Sequence, residues 1–302
     1  MSTASLRTPP PSGARRSRWA GWLFVLPALL AYSAFVLVPL ALTVFYSTQR
    51  WNGIGPFEFV GLDNYVETIT DPDLAGTIVN AFKLVFFFSF VPVALGLLVA
   101  SLIRRVATGA LGSVTRTVLF LPQVIPLVAA GIVWSWLLSR NGLINQVLAA
   151  VGLGDHTRAW LADFSLALPA VGVIGAWVLL GLCTILLLTG MSKIDQSLYE
   201  SARIDGASPW QEFRSITVPS LRYEIGVCIT VTVIASLSAF DIIYISTLGG
   251  PGTTTAVPGL EIYRLAFLGR QVGVASALAV VLIVLVLLTV LPIQRLTREE
   301  PA

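Results

Sequence analysis

The chain has 302 residues, 56% of them hydrophobic and only 12% charged, with a formal net charge of +3 and a mean hydropathy of +0.84. A soluble domain carries roughly twice that share of charge, and a disordered chain lacks such apolar content, so both classes are excluded. The arginines are scattered between apolar blocks rather than gathered on one face, which speaks against a nucleic-acid partner.

Residues 1–18 hold three consecutive prolines, Pro9 to Pro11, with serines and arginines. This composition predicts a disordered basic arm lying near anionic lipid. Six apolar blocks follow, at about Trp19–Ser47, Thr77–Ile103, Thr117–Leu138, Leu166–Gly190, Ile225–Thr247 and Val272–Ile293. Each reaches the roughly 20 residues that a helix needs to cross a bilayer core. The expected fold class is therefore all-α, a polytopic membrane protein with six transmembrane helices. The first block is too long for a signal-peptide core and reads as a retained helix. Trp19 and Trp22 at one end, and Tyr46 and Trp51 at the other, fit interfacial belts. The chain thus divides into the arm, a first helix with its outer loop (19–75), a five-helix core (76–294) and a short tail (295–302).

Prolines recur inside the blocks at Pro27, Pro39, Pro92, Pro122, Pro126 and Pro169. Membrane helices tolerate them, because neighbouring groups satisfy the freed carbonyls. Pro122 and Pro126, four apart, predict a bend near the start of the third helix.

With the N-terminus inside, the inner segments carry thirteen cations: Arg7, Arg15, Arg16 and Arg18; Arg104, Arg105 and Arg116; Lys193, Arg203, Arg214 and Arg222; Arg295 and Arg298. The outer loops carry five, Arg50, Arg140, Arg158, Arg264 and Arg270, while Lys83 falls within a span. This asymmetry places both termini on the cytoplasmic side.

Sites of soluble chemistry are missing from the sequence. There is no GxxxxGK[ST] loop, so ATP is not expected to bind this chain through a Walker motif. GxSxG, HExxH and CxxC are absent too. Cys183 and Cys228 lie in apolar runs, and His156 has no second ligand or base nearby, so neither a catalytic nor a metal site is expected. Gly249-Gly250-Pro251-Gly252 reads as a tight turn.

The segment between the fourth and fifth blocks, 196–219, is the most informative. A first helix is expected over about Gln196–Ile204, ending at Gly206 in a left-handed cap. A second begins with Ser208 as N-cap, Pro209 at its first position and Glu212 a turn later. Trp210, Phe213 and Ile216 share one side of it at spacings of three. Such a helix either lies on lipid as a connector or docks a soluble partner. In the fifth block, Thr232, Ser236 and Ala239 recur at i, i+4 and i+7 and share one helical face. Small polar residues of this kind either pack helices closely or line a path. Asp241 stands within the fifth span, where an ionisable group is costly unless paired or wet, and a pair with Lys83 is geometrically feasible.

Glu200, Ala202, Asp205, Gly206, Ala207, Phe213, Ile216 and Pro219 closely match the EAA signature, so the chain resembles the permease subunits of binding-protein-dependent ABC importers. Ser201 replaces the middle alanine, and Arg222-Tyr223 stand where sugar-type members often show another proline. Further stretches resemble carbohydrate-uptake permeases of the maltose- and glycerol-phosphate type: Phe59 to Tyr65, Leu121 to Pro126 with Trp134-Ser135-Trp136, Phe240-Asp241-Ile242-Ile243-Tyr244 through Gly252, and Glu261 to Phe267.

The resemblance implies a type I importer permease fold in the cytoplasmic (inner) membrane of a prokaryote. It implies a second permease subunit as partner, two ATPase subunits that bind ATP and Mg, and an extracytoplasmic solute-binding protein. It assigns ATPase coupling to Glu200, Ala202, Asp205, Gly206, Ala207 and Phe213. It assigns the path of a sugar or polyol-type solute to Thr232, Ser236, Ala239, Asp241 and Tyr244. The competing class, a secondary transporter, normally carries coupling carboxylates or repeated broken helices at the midplane.

Overall fold

The computed structural model describes residues 18–106 and 109–297. The basic arm, apart from Arg18, and the end of the tail from 298 lie outside the described residues. The chain divides into two units, Met1–Phe45 and Tyr46–Ala302. The first is a helix of apolar residues, Arg18–Tyr32, a π-turn Ser33–Leu37 and Val38–Ser47, the last two residues of which belong to the second unit.

Among the described residues, four helices are long and apolar enough to cross a membrane on their own: Phe24–Ser47, Pro72–Arg104, Ala167–Met191 and Val272–Leu296. Two bent pairs raise the number to six. Gly112–Val124 meets Leu127–Leu137 at 98°, and Pro209–Ser220 meets Arg222–Leu237 at 70°. The third span therefore breaks at its middle, not near its start. Pro122 stays inside the helix Gly109–Val124, and Pro126 takes the extended conformation (ψ 135°) that forces the break. The fifth span is also interrupted. Its helix Arg222–Leu237 stops before Asp241, which opens a separate short helix, Asp241–Ser246.

Pro27 stays inside the helix Arg18–Tyr32, but three other prolines follow a rule. A π-turn ends two residues before Pro39, before Pro92 and before Pro219, at Ser33–Leu37, Phe86–Phe90 and Phe213–Thr217. In each case the residue preceding the proline donates its N–H to the carbonyl five residues back. One widened turn thus makes room for a ring that would otherwise strike the carbonyl four residues back. Pro169 needs no such device, because it sits in the first turn of Ala167–Met191, where N–H groups are spare.

Ala167–Met191, the fourth span, is the axis of the second unit and the most buried of the four long helices. It is apolar all round, as a helix surrounded by others must be. Three of its glycines bring neighbours to backbone distance. A Cβ at Gly172 would fall on the Phe87 side chain, at Gly175 on the Phe88 ring, and at Gly181 on the Leu119 carbonyl. The main core cluster gathers Leu84, Phe88, Ile243 and Leu260 around its Val171 and Ile174. A second cluster, with Val93, Leu187, Met191 and Leu221, lies against its other half.

Buried amides tie down the connecting loops on the side opposite the arginine-rich one. Asn64 donates to the Ser47 and Gln49 carbonyls, both at 2.9 Å, beside the two-residue strand pair Gln49–Arg50 and Glu58–Phe59. Asn80 donates to the carbonyls of Thr253 and Ala256 at 3.2 and 3.0 Å, holding the glycine turn 249–252 against the second span. Asn145 donates to the Arg158 carbonyl at 2.7 Å and accepts from the Trp160 indole at 2.8 Å. In the same loop the Ser165 hydroxyl and amide hold the Asp163 carboxyl below the usual carboxylate range.

Both native cysteines are buried, which makes the orientation simple to test by thiol labelling. A cysteine in place of the exposed Glu67 should react with an impermeant reagent added outside intact cells, and one in place of the exposed Gln211 should not. Labelling at Gln211 from outside would reverse the orientation.

Candidate functional site

The segment 196–219 folds as two short helices joined by a reversal. Asp195 caps the first, Gln196–Ile204, by accepting from the Ser197 amide at 2.9 Å. That amide, and then the Ser197 hydroxyl, hold the Asp195 carboxyl below its ordinary range. Gly206 has φ +79°. Its amide donates to the Arg203 carbonyl at 3.1 Å, and the Ala207 amide donates to the Ala202 carbonyl at 2.9 Å. This double bond pattern is a Schellman closure, as the left-handed cap predicts. Ala202 and Ala207, both half-buried, are thus the two ends of the bond that closes the turn.

The second helix starts with a capping box, but its partner is Gln211, not Glu212. The Ser208 amide donates to Gln211 Oε1 at 2.6 Å, and the Gln211 amide donates to Ser208 Oγ at 3.4 Å. Glu212 turns inward instead and receives Arg203 Nε at 2.9 Å. That bond lifts the Arg203 guanidinium above its already high range. Among the described residues the apolar side is only partly covered. Trp210 is 64% exposed and Ile204 86%. Phe213 is half-buried and stacks on Trp210 at 5.5 Å. Glu200, Asp205 and Gly206 are exposed on the same hairpin. The arrangement is an anchored element with an amphipathic, projecting tip.

The fifth helix differs from the expectation drawn from its small-residue stripe. Thr232 and Ser236 are fully buried. Thr232 Oγ1 lies 2.7 Å from Ser89 Oγ and 2.8 Å from the Cys228 carbonyl, and Ser236 Oγ donates to the Ala81 carbonyl at 3.2 Å. Ala239 belongs to the main core cluster. In this conformation the stripe packs the fifth helix against the second span. The open face carries Val231 and Ile234; the cap residue Ser238 and, beyond the break, Asp241 are exposed as well. The sequence carried a signal for this in retrospect: the small side chains allow close approach, and the larger ones face away. Asp241 is exposed and makes no ion pair with Lys83, which is itself exposed. Tyr244 is half-buried in an aromatic row that the sequence did not reveal. It stacks on Phe240 at 5.1 Å and meets Tyr263 edge-on at 5.5 Å, with Phe267 5.5 Å beyond. Among the described residues no cluster of His, Cys, Asp and Glu is arranged to hold a metal.

Residues 92–296 match the family described as the binding-protein-dependent transport system inner membrane component. The chain belongs to this family. A probable ABC transporter permease protein of Bacillus subtilis, YurN, is 34% identical, over 88% of this chain and 91% of its own. The diacetylchitobiose uptake permease NgcF of Streptomyces coelicolor is 32% identical, over 84% and 75%. The lactose transport permease LacF of Rhizobium radiobacter is 32% identical, over 82% and 83%. In structure, the chain is similar to a crystallised bacterial ABC transporter involved in alginate import, with TM-score 0.79, 25% identity, and coverage of 94% and 96%. The permease is therefore a transport component of an ABC importer, with the type I fold, in the inner membrane of a prokaryote. Family membership removes the secondary transporter from consideration.

Proposed function

We propose that this permease forms one half of the pathway for a sugar or related polyol-type solute. A second permease subunit supplies the other half. Two ATPase subunits, which bind the ATP and Mg, dock on segment 196–219, and an extracytoplasmic binding protein delivers the solute. The observation that carries the coupling role is the projecting hairpin. Glu200, Ile204, Asp205 and Trp210 stand exposed on a base held by the buried Tyr199–Thr217 bond at 2.9 Å and by Arg203–Glu212. A protein without a Walker motif of its own must receive work through such a contact. Alternating access then requires that the partners bind the two states of the permease differently.

The saccharide names of the relatives, diacetylchitobiose and lactose among them, support the solute class. The exposed end of the fifth span supports it further. It offers one hydroxyl, Ser238, and one carboxylate, Asp241, with no cation, which suits a neutral polyhydroxylated solute better than an anion. Thr232, Ser236 and Ala239 keep a place in the proposal as the packing that sets this exposed end. Tyr244 adds an aromatic edge.

The test is reconstitution of the complex in liposomes, with binding-protein-dependent ATP hydrolysis and uptake of labelled mono- and disaccharides. Asp241→Ala should lower uptake about tenfold, the effect of about 1–1.5 kcal/mol from a lost hydrogen bond to the solute. Ser236→Leu should instead reduce the amount of assembled complex. Normal uptake by Asp241→Ala would remove that carboxylate from the path, and saccharide-independent hydrolysis would overturn the solute class.

A further inference from the structure

The two helices of the projecting hairpin meet at a single glycine. A Cβ at Gly206 would meet nothing within 4 Å, so among the described residues no side chain packs against this position. Left to itself, such a joint is a hinge. A partner pressing on the exposed tip at Ile204 and Trp210 would fold the hairpin before it moved a span. Something must stiffen it for the contact to transmit work.

Besides the backbone bonds of the turn itself, two side-chain bonds cross the reversal. Arg203 Nε donates to Glu212 Oε1 at 2.9 Å, joining residues nine apart on opposite helices. The Glu212 side chain is only 4% exposed, whereas that of Arg203 is 55% exposed. A charge-assisted bond to a carboxylate so enclosed is screened little by water, so the pair resists opening. Tyr199 and Thr217 are joined through their hydroxyls at 2.9 Å, eighteen residues apart and buried. Tyr199 in turn lies under the Arg104 guanidinium, 4.2 Å from the ring centre, and Arg104 Nη2 reaches Gln196 Oε1 at 3.4 Å. Arg104 ends the second span. A cleft of about 600 Å³ separates hairpin and span here, lined by Leu98, Leu102, Met191 and Phe213 among others. Across that cleft the Arg104 contacts with Tyr199 and Gln196 join the hairpin to the second span.

We propose that Arg203 and Glu212 clamp the hairpin into one rigid body, and that Arg104 on the Tyr199 ring passes its movement to the second span. Arg203 and Glu212 are positioning residues: they act through the hairpin and need no contact with solute or nucleotide. The proposal rests on the coupling role of segment 196–219, and its test separates the two.

The experiment uses the whole complex in liposomes and reads solute molecules taken up per ATP hydrolysed. Arg203→Ala and Glu212→Gln should copurify with the ATPase and lower that ratio about tenfold. Arg203→Lys, which keeps the charge, and the exchange Arg203→Glu with Glu212→Arg should each recover at least half of it. Arg104→Ala should lower the ratio in the same direction. A ratio within twofold of wild type for Arg203→Ala overturns the clamp. So does a loss that neither Arg203→Lys nor the exchange recovers. If Glu212→Gln fails to accumulate, Arg203→Ala, altered on its exposed side, still decides the matter. Failure of Glu200→Ala and Gly206→Val to uncouple would overturn the coupling role itself. Uncoupling by those two with a normal Arg203→Ala would overturn the clamp alone.

Discussion

Gly206→Val is expected to abolish uptake and the stimulation of ATP hydrolysis by the binding protein, with the permease still in the membrane. The backbone at Gly206 has φ +79°. A side chain there meets no neighbour, so a change acts through the backbone alone. For an L-residue the left-handed region costs about 1–2 kcal/mol, and a β-branched residue is worse than that average. The sum is too small to unfold a helix bundle but large enough to shift the hairpin to another reversal. The Schellman bond from Ala207 to Ala202 would then open, and Ser208 would leave its capping box. The effect should be graded: Gly206→Asn close to wild type, Gly206→Ala intermediate, Gly206→Val inactive, following the ease with which each residue takes positive φ. Uptake and hydrolysis in liposomes measure it. Full activity of Gly206→Val, or a flat series, would contradict the role given to the turn.

Gly181→Val should have the largest effect on the protein itself: little or no permease accumulating in the membrane. The Cβ at this position would land on the Leu119 carbonyl, which is backbone of the third span. Helix backbone cannot rotate aside as a side chain can, so the third and fourth spans must separate. Overpacking of a well-packed core costs about 1–3 kcal/mol even where side chains can adjust. The comparison is Gly175→Ala, whose Cβ meets the Phe88 ring, a side chain able to turn. It should accumulate at a reduced level. Gly76→Ala, with nothing within 4 Å, should accumulate normally. Membrane yield and thermal stability in detergent give the ranking. Normal accumulation of Gly181→Val would mean that the third span does not lie against the fourth at this point.

The sequence by itself determined the apolar blocks, their orientation, the absence of a nucleotide loop and the reversal at Gly206. These follow from local chemistry: a span is a run of apolar residues, arginine marks the cytoplasmic side, and only a few residues take positive φ cheaply. The EAA pattern was legible for the same reason, since Ala202, Gly206 and Ala207 build one turn from neighbours in the chain. Tertiary structure alone decided the rest. A helix in lipid can be apolar on every side, so its periodicity does not say which face meets another helix. Thr232 and Ser236 looked like a path lining and turned inward, because Ser89 and the Ala81 carbonyl on the second span receive their hydroxyls. The inward turn of Glu212 onto Arg203 and the aromatic row that joins Tyr244 to Tyr263 depend likewise on partners in other helices. Long-range partners compete for each polar group, and only the packed structure shows which one prevails.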